Sequence, residues 1–441
     1  MRSTLELPFF EPHHRVFAGE FSSWVGDHLQ AFEAAEGGDG THAACILERL
    51  ARSGWLKRSL ILQPTDSRGR LDVRMVCLMR DILGHSSVMA DVAFSEPWLA
   101  AIPILLRGRP TQTEMYVSVI GDGRCLPAFA LSEPEAGSDV AAIQCTATPV
   151  DGGWVLNGRK TWTSNAGIAD LYVVFARTPG RAGAAGLSTY LVEGKNPGVR
   201  LCERLDVMPP HTVGTLEFKD CFVRADMRLG EEGQGFATAM TALELFRPTV
   251  GAATLGFARR ALAEAVKRST ERVTFRKPIA EHQMIQGKLA DMSVAVEAAA
   301  LCVYRAAWGM DCESATRSRD ASIAKLFASE AAQRVVDEAL QIFGGMGVVH
   351  GTVVERLYRH VRAFRIFDGT SHPSRFAPGQ KQLIVQLHRN PDSCKVANSR
   401  GFALKLRILS VRDSNGTPAA TAGFLQQQRP RLLTYLPSST N

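Results

Sequence analysis

The sequence predicts an α+β protein that is mostly α-helical, with helices at the start, a β-barrel in the middle and a helical bundle at the end. Apolar residues recur at helical spacing within residues 44–53 and 73–83. In the middle, Asn157-Gly158 lies between two strand-like runs, and this pair favours the type I′ turn of a β-hairpin. Helical spacing returns after about residue 233. These observations predict an N-terminal helical domain at residues 1–126, a central β-barrel domain at 127–232, a C-terminal four-helix bundle at 233–386 and a basic tail at 387–441.

The middle and last regions contain further elements of the expected type. Short runs rich in β-branched and aromatic residues predict strands at residues 171–175, 187–192 and 215–219. Apolar residues at three- and four-residue steps between Ile323 and Phe343 predict a long helix that ends at Gly344-Gly345. Another helix is predicted at residues 248–270, with Pro248 in its first turn.

Composition limits the class of protein. The chain has 441 residues, of which 45% are hydrophobic and 22% are charged, so it is long enough to form two or three packed regions. No run of 18 uninterrupted apolar residues exists, and no basic stretch followed by an apolar segment lies near the start. We therefore expect no membrane partner and no signal peptide. Nine scattered cysteines without a Cys-x-x-Cys pair predict free thiols and a cytoplasmic location.

The net charge of +7 is concentrated in the tail. From residue 387 onward the chain has eight basic and two acidic residues, a net charge of +6, so the remainder is close to neutral. We therefore expect no nucleic-acid partner. A solvated or disordered tail is the simplest interpretation, and polyanion binding is the alternative.

Asp368 is the candidate catalytic base. It follows the apolar pair Ile366-Phe367 and precedes Gly369-Thr370. A carboxylate with apolar neighbours is desolvated, so its pKa rises and it can accept a proton from a weak carbon acid. The alternative is that Asp368 is an ordinary turn or helix-cap residue.

Five motifs occur in one order along the chain. They read FALSEPEAGSD at residues 129–139, NGRKTWTSN at 157–165, RVTF at 272–275 with His282-Gln283, QIFGG at 341–345, and FDGTS at 367–371. Together they resemble the acyl-CoA dehydrogenase flavoprotein family over about residues 129–375. That resemblance implies the family's fold of helical, β and helical domains.

The resemblance also implies FAD as the cofactor. The positions that match the family's flavin-binding residues are Phe129, Leu131, Ser132, Gly137, Ser138, Trp162, Thr163, Ser164, Arg272, Thr274, Phe275, Gln283, Gln341, Gly344, Gly345, Thr370 and His372. Ser138 and Gly369 are implied to contact substrate, and Arg272 and Thr274 to bind the FAD pyrophosphate. The segment from Gln341 to Gly345 would reach the flavin of a neighbouring subunit, which implies a homotetramer or a homodimer.

The implied reaction is FAD-dependent α,β-dehydrogenation of an acyl thioester, carried by CoA or by a carrier protein. Asp368 would take the α-proton, the β-hydride would pass to flavin N5, and an electron-transfer flavoprotein would receive the electrons. The family normally has Glu at this position. Glu244 is the reserve candidate, since some relatives carry the base on an earlier helix, where this chain has Phe246. A flavin oxidase that uses O2 and a catalytically retired structural flavoprotein are the alternative functions.

Two other motifs are set aside. Residues 230–235 contain three glycines without the spacing of a dinucleotide-binding loop, so NAD binding is not expected. His13-His14 is predicted to be exposed, and no metal site is expected, because no second ligand pair has helical or hairpin spacing.

Overall fold

The computed structural model describes residues 2–35, 41–60, 71–209 and 211–369. Helices come first along the chain. They are α1 (Arg2–Leu5), α2 (Pro12–Ala35), α3 (Thr41–Arg52), α4 (Trp55–Leu60), α5 (Val73–Ser86), α6 (Val88–Arg107) and α7 (Pro110–Gly121). The helices predicted at residues 44–53 and 73–83 correspond to α3 and α5, and those predictions are confirmed.

Helices α5 and α6 form the interior of this region. Asp72 caps α5 by accepting a hydrogen bond from the Met75 N–H, and Ser87 caps α6 in the same way through the Ala90 N–H. Helix α6 is long and apolar enough to cross a membrane, with a mean hydropathy of 1.4, but 83% of that apolar window is buried within the protein. It therefore behaves as a core helix of this fold.

The central region is a sheet of eight strands. They are β1 (Pro127–Ala130), β2 (Thr146–Val150), β3 (Gly153–Ser164), β4 (Leu171–Arg177), β5 (Leu187–Glu193), β6 (Val199–Leu205), β7 (Val213–Arg224) and β8 (Arg228–Leu229). The order is β6-β7-β3-β2-β4-β5-β8, and β1 pairs in parallel with β4. The predicted strands at 171–175, 187–192 and 215–219 lie in β4, β5 and β7. A closed barrel is not shown, since the end strands β6 and β8 are not paired with each other within residues 71–209 and 211–369.

The predicted turn at Asn157-Gly158 is wrong. Strand β3 runs through this pair, and the hairpin turn lies instead at Asp151-Gly152, between β2 and β3. Gly152 supplies the positive φ of 75° that the turn needs. Asn157-Gly158 lies at a register shift in the pairing of β3 with β7. No side chain fits at Gly158, because a Cβ atom there would lie 2.7 Å from the Cys145 Cα atom.

The last region contains four long or medium helices and a small hairpin. They are α8 (Gly235–Glu271), β9 (Val273–Thr274), β10 (Lys277–Pro278), α9 (Gln283–Asp311), α10 (Arg317–Phe343) and α11 (Val353–Phe364). Helix α10 ends at Gly344, whose φ of 62° places it in the left-handed region, as the sequence predicts. Pro248 was predicted to lie in a first helical turn, but it lies inside α8, which begins 13 residues earlier at Gly235. Buried apolar residues lie on both sides of Pro248. The free energy gained by burying them outweighs the loss of one backbone hydrogen-bond donor.

Helix α8 packs closely against α5, and glycines make the approach possible. A Cβ at Gly256 would lie 2.4 Å from the Asp81 carbonyl oxygen, and one at Gly84 would lie 2.8 Å from the Ala253 carbonyl oxygen. Larger side chains would force the two helices apart. This close packing brings Arg80 of α5 beside Thr249 of α8, at one side of the candidate site.

Candidate active site

Asp368 lies on a turn directly after α11. Its φ of 54° is in the left-handed region, which is uncommon for a residue other than glycine, and Gly369 follows with a φ of 101°. The Gly369 carbonyl accepts a hydrogen bond of 2.6 Å from the buried Lys325 Nζ atom. A side chain of α10 therefore fixes the backbone immediately after the candidate base.

Charged groups of both signs surround the Asp368 carboxyl. Burial raises the pKa of Asp368 to about 6, the nearby carboxyl of Glu96 raises it as well, and the cations Lys325, Arg80 and Arg247 oppose the rise. Burial also lowers the pKa of Lys325 to about 8. A carboxyl group with a pKa near neutrality can serve as a base at physiological pH, as the sequence predicts for this residue.

Arg80 joins three helices beside the site. Its guanidinium donates two hydrogen bonds to Asp91 of α6, at 2.8 and 2.7 Å, and one of 3.1 Å to the Thr249 hydroxyl of α8. Both members of the Arg80–Asp91 ion pair are buried. The guanidinium also lies 4.9 Å from the centre of the Phe246 ring. Phe246 is therefore part of the packed wall of the site.

A second carboxyl, Glu96 of α6, contributes to the site from the side of the sheet. Burial raises the pKa of Glu96 to about 7, and the nearby hydroxyl of Ser164, the last residue of β3, opposes the rise. The Ser164 Oγ atom and the His211 Nε2 atom form a hydrogen bond of 2.9 Å. The same His211 nitrogen lies 3.7 Å from the Glu96 Oε1 atom, and burial lowers the pKa of His211 to about 4.

The predicted flavin strand presents an aromatic ring and unused polar groups. Trp162 lies at a bulge of β3, has a φ of 56° and is 62% exposed. The neighbouring Thr163 is buried, and its hydroxyl has no hydrogen-bond partner among the described residues. An exposed indole beside an unpaired hydroxyl is the kind of surface that a bound aromatic cofactor completes.

The predicted flavin loop is held in place by a buried ion pair. Lys160 of β3 donates hydrogen bonds to the Glu133 carboxylate at 2.7 Å and to the Leu131 carbonyl at 2.9 Å. Phe129 packs against Phe175, and the Ser132 carbonyl accepts a hydrogen bond from the Thr161 N–H. Gly137 and Ser138 are exposed at the end of the loop, and no atom lies within 4 Å of a Cβ built at Gly137. This open loop is free to approach a ligand.

The residues predicted to bind the nucleotide half of FAD lie around the β9–β10 hairpin. Phe275 is 91% exposed at the turn, with a φ of 48°. Arg272 and Gln283 are also exposed, and the Thr274 hydroxyl is 3.4 Å from the His282 Nε2 atom. Gln341, Gly344 and Gly345 are exposed at the end of α10. An exposed guanidinium fits phosphate oxygens, and the exposed ring fits a stacking or covering partner.

The two candidate bases both lie near Arg247, since each of them raises the pKa of that guanidinium. Glu244 of α8 lies 3.6 Å from Arg317 in an ion pair, and it is not among the groups that shift the pKa of Asp368. Thr370 and His372 lie outside the described residues. The predicted loop, strand and turn residues that are described, together with Asp368, fit an FAD site. They provide the exposed rings of Trp162 and Phe275, the exposed Arg272 guanidinium and the buried, unpaired hydroxyl of Thr163.

The prediction that both His13 and His14 are exposed is wrong for His14. Its side chain is fully buried, accepts a hydrogen bond from the Glu11 N–H at Nδ1 and shares one of 3.2 Å with Asp72 at Nε2. His13 also contacts Asp72, at 3.3 Å. These three residues are close enough to hold a metal ion. However, both nitrogens of His14 already have hydrogen-bond partners. We therefore interpret the three residues as a hydrogen-bonded network that holds Asp72, the N-cap of α5.

Sequence reasoning missed Arg80, Glu96, His211 and Lys325. Each comes from a different element, and their meeting depends on tertiary packing that no local pattern encodes. One signal was available, because Arg80, Asp91, Glu96 and Lys325 are charged residues within otherwise apolar helical segments. Such residues are rarely buried without a partner or a function.

The chain is similar to proteins of a known family. Residues 128–221 match the family model described as "Acyl-CoA dehydrogenase, middle domain", and residues 233–375 match "Acyl-CoA dehydrogenase, C-terminal domain". The chain is 42% identical over 276 residues to the short-chain specific acyl-CoA dehydrogenase of Megasphaera elsdenii, covering 62% of this chain and 72% of that protein.

Two further relatives cover more of the chain. The caffeyl-CoA reductase-Etf complex subunit CarC of Acetobacterium woodii is 36% identical over 329 residues, which is 74% of this chain and 86% of that protein. The structure of an acyl-CoA dehydrogenase complexed with FAD from Bacillus anthracis superposes with a TM-score of 0.75 at 27% identity, covering 86% of this chain and 68% of that one.

The fold, the site and the comparisons have one consistent explanation. The protein is an FAD-dependent oxidoreductase that carries out α,β-dehydrogenation of an acyl-CoA substrate, and nothing favours an oxidase or a retired structural protein. The chain belongs to the acyl-CoA dehydrogenase family.

Proposed function

We propose that Asp368 is the base that removes the α-proton of the acyl-CoA substrate. The observation that supports this role is the environment of its carboxyl, which is partly buried, lies near a second carboxyl and three cations, and has a pKa raised to about 6. At neutral pH such a carboxyl is mostly ionised and still basic enough to compete for a carbon-bound proton. Glu244 forms an ion pair with Arg317 and also acts on Arg247, so it is the second candidate to be tested.

The protein's own residues would act as follows. An Asp368 carboxylate oxygen accepts the α-proton, and backbone N–H groups of the turn stabilise the negative charge that develops on the thioester carbonyl oxygen. Lys325 holds the turn through the Gly369 carbonyl, so both groups keep their positions. FAD, which the loop, strand and hairpin residues described above would hold, would supply the acceptor for the hydride of the β-carbon. Ser138 and Gly369 are the proposed substrate contacts.

The shorter acid is compatible with a turn that differs from the family's usual one. Asp has one methylene fewer than Glu, which withdraws the carboxylate by about 1.5 Å on an unchanged backbone. A misplacement of about 1 Å can reduce the rate on the order of a hundredfold. The left-handed φ of Asp368 sets the direction in which its carboxyl leaves the backbone of this turn.

Substitution of Asp368 tests this role. Asp368→Asn keeps the shape and removes the basic group, so the anaerobic rate of flavin reduction by an acyl-CoA should fall by two to four orders of magnitude, with FAD content unchanged. Glu244→Gln is the matched control and should leave the rate within a few-fold of the wild type. Undiminished reduction in Asp368→Asn beside a dead Glu244→Gln variant would overturn the assignment.

Asp368→Glu tests whether the site is built for the shorter acid. If the turn positions Asp specifically, the longer side chain overshoots, and the rate of flavin reduction should fall. A faster variant would instead show that the turn has the family's usual geometry.

We also propose that an electron-transfer flavoprotein reoxidises the enzyme. The support is the similarity to a subunit of a complex whose name includes such a partner. Reduced enzyme should transfer electrons to an added electron-transfer flavoprotein faster than to O2. Stoichiometric hydrogen peroxide formation in air, with no acceleration by the flavoprotein, would contradict this proposal.

We further propose that the protein is a homo-oligomer located in the cytoplasm. Exposed apolar residues on α9, and the exposed segment from Gln341 to Gly345, support association of several chains. The cytoplasmic location is supported by the eight described cysteines, all of which are free thiols.

A further inference from the structure

Two parts of the candidate FAD site, the loop at residues 131–139 and the outer end of β3, are joined by one buried side chain. Lys160 of β3 is fully buried, and its Nζ atom donates hydrogen bonds to the Leu131 carbonyl and the Glu133 carboxylate, at 2.9 and 2.7 Å. The bulge of β3 that contains the exposed Trp162 begins directly after Lys160. One cation therefore connects the start of the loop to the strand segment that carries the exposed indole.

The Glu133 carboxylate extends this connection to β2. It accepts hydrogen bonds from the N–H groups of Gln144 and Cys145, which lead into that strand. The backbone of Glu133 also pairs with that of Ala136 and closes a tight turn within the loop. Because the Glu133 side chain is only 7% exposed, loss of Lys160 would leave a buried carboxylate without its counter-ion.

A second buried cation binds the other end of the loop. Arg177, the last residue of β4, donates hydrogen bonds to the carbonyl groups of Ala141 and Ile143, at 2.5 and 2.9 Å. Its guanidinium also donates to the carbonyls of Arg181 and Gly183, at 2.7 and 2.9 Å. The planar guanidinium thus fixes the backbone that follows the loop against the segment between β4 and β5.

The tip of the loop lies between these two anchors, Lys160 and Arg177. Ala136 and Val140 are buried, whereas the three residues between them, at 137–139, are exposed. The loop is therefore held at both ends and open where the predicted flavin and substrate contacts lie. A loop that already has its bound geometry loses less conformational entropy when a ligand binds, so its affinity for that ligand is higher.

We propose that Lys160 and Arg177 are positioning residues for FAD, which hold the loop in the geometry that the cofactor requires. They act through the hydrogen bonds to the backbone and to Glu133, and neither side chain has to touch the cofactor. The inference rests on the assignment of this loop to the FAD site. It does not depend on the role of Asp368.

Lys160→Met tests the first anchor, because it keeps an unbranched side chain and removes the cation. Loss of a buried hydrogen bond to a charged group should raise the dissociation constant of FAD by about tenfold or more. Titration of the flavin-depleted protein with FAD, followed by flavin fluorescence, measures this constant. A Lys160→Met protein with the wild-type constant would overturn the proposal.

Arg159→Met is the matched control for this titration. Arg159 precedes Lys160 on the same strand, but its side chain is 61% exposed and pairs with Glu217 on the surface. A surface ion pair of this kind contributes little to stability. The control should bind FAD within about twofold of the wild type, and a loss as large as that of Lys160→Met would contradict a specific role of the buried cation.

A second readout separates positioning from general stability. FAD raises the melting temperature of the protein by an amount that depends on its affinity. If Lys160 only stabilised the fold, Lys160→Met would lower the melting temperatures of the flavin-depleted and the FAD-bound protein equally. Positioning predicts a larger decrease for the FAD-bound protein, so the stabilisation by FAD should shrink. Equal decreases would reject the proposal.

Arg177→Lys tests the second anchor, and it decides the question if Lys160→Met does not fold. Lysine keeps the charge but lacks the planar fork that binds several carbonyls at once, so the dissociation constant of FAD should rise by about tenfold. Wild-type affinity in this variant would reject the role of Arg177. These measurements use no substrate, so their failure is distinct from a failure of Asp368→Asn to slow flavin reduction.

Discussion

At the residue scale, the reactivity of Asp368 is set by opposing electrostatic effects. Burial and the Glu96 carboxyl both favour the protonated form, whereas Lys325, Arg80 and Arg247 favour the ionised form. The resulting pKa of about 6 is above the usual value for Asp but still below neutral pH. The carboxyl is thus a stronger base than an exposed aspartate and remains mostly ionised where the enzyme works.

This balance predicts a pH dependence with a definite sign. Only the ionised carboxylate accepts a proton, so the second-order rate constant of flavin reduction should rise with pH, with a midpoint near 6. Lys325→Met removes a cation that lowers the pKa, so the midpoint should move upward by on the order of one unit. Rapid-mixing measurements between pH 5 and 9 would check this.

The control for that experiment is Lys288→Met, which removes a lysine that is ion-paired with Glu338 on the surface of the bundle. Its midpoint should match that of the wild type. A Lys325→Met enzyme with normal FAD content and an unshifted midpoint would show that Lys325 does not act on Asp368.

The same shift has a consequence for stability. The folded pKa of about 6 exceeds the usual aspartate pKa of 3.8, so the folded state binds the proton more tightly than the unfolded state. Ionised Asp368 therefore destabilises the fold as the pH rises through about 4 to 6, and the cost persists above that range. Asp368→Asn should raise the melting temperature at pH 8 and leave it nearly unchanged at pH 4. An equal increase at both pH values would argue against ionisation as the cause.

At the element scale, local patterns predicted the helices well and the details of the sheet less well. The spacing of apolar residues located α3, α5 and α10, and Gly344 ended α10 as expected. Asn157-Gly158 has the composition of a hairpin turn, yet pairing with β7 holds it within a long strand as an irregularity. The interior position of Pro248 was missed for a similar reason, since both outcomes depend on neighbours distant in sequence.

The candidate site divides along the same line. Asp368 and the flavin-loop residues lie within contiguous motifs, so the sequence could identify them. Arg80, Glu96 and Lys325 lie on three different helices, α5, α6 and α10. They come near Asp368 only when these helices pack together. The spacing of apolar residues indicated that these helices are buried, but it could not indicate which charged residues would face one another.

The Arg80–Asp91 pair is a buried ion pair that joins α5 to α6. Because both groups are buried, Arg80→Met leaves an unpaired carboxylate and should destabilise the protein by about 3–5 kcal/mol. The double variant Arg80→Met/Asp91→Leu removes both charges and should recover a large part of that loss. Urea unfolding of the flavin-depleted proteins would measure the difference. A double variant no more stable than Arg80→Met would mean that the charge pair is not the origin of the loss.

At the scale of the whole molecule, α9 leaves an apolar stripe exposed. Val294, Leu301 and Trp308 are spaced seven residues apart, so they share one face of the helix, and they are 68%, 47% and 40% exposed. Exposed apolar surface of this kind marks interaction sites more often than chance. A second copy of the chain is the proposed occupant, since the exposed Gln341–Gly345 segment would then reach a neighbouring site.

A charge placed in the stripe should dissociate the assembly. Val294→Glu/Leu301→Glu puts two carboxylates where an apolar contact is proposed, and burying them unpaired would cost several kcal/mol. Light scattering after size-exclusion chromatography should give a smaller mass than for the wild type, and FAD content should fall if neighbouring chains complete each site. Val16→Glu is the matched control, since Val16 is 61% exposed on α2 and lies outside the stripe. That control should keep the wild-type mass. A wild type that elutes as a single chain, or a double variant with unchanged mass, would show that this stripe does not join the subunits.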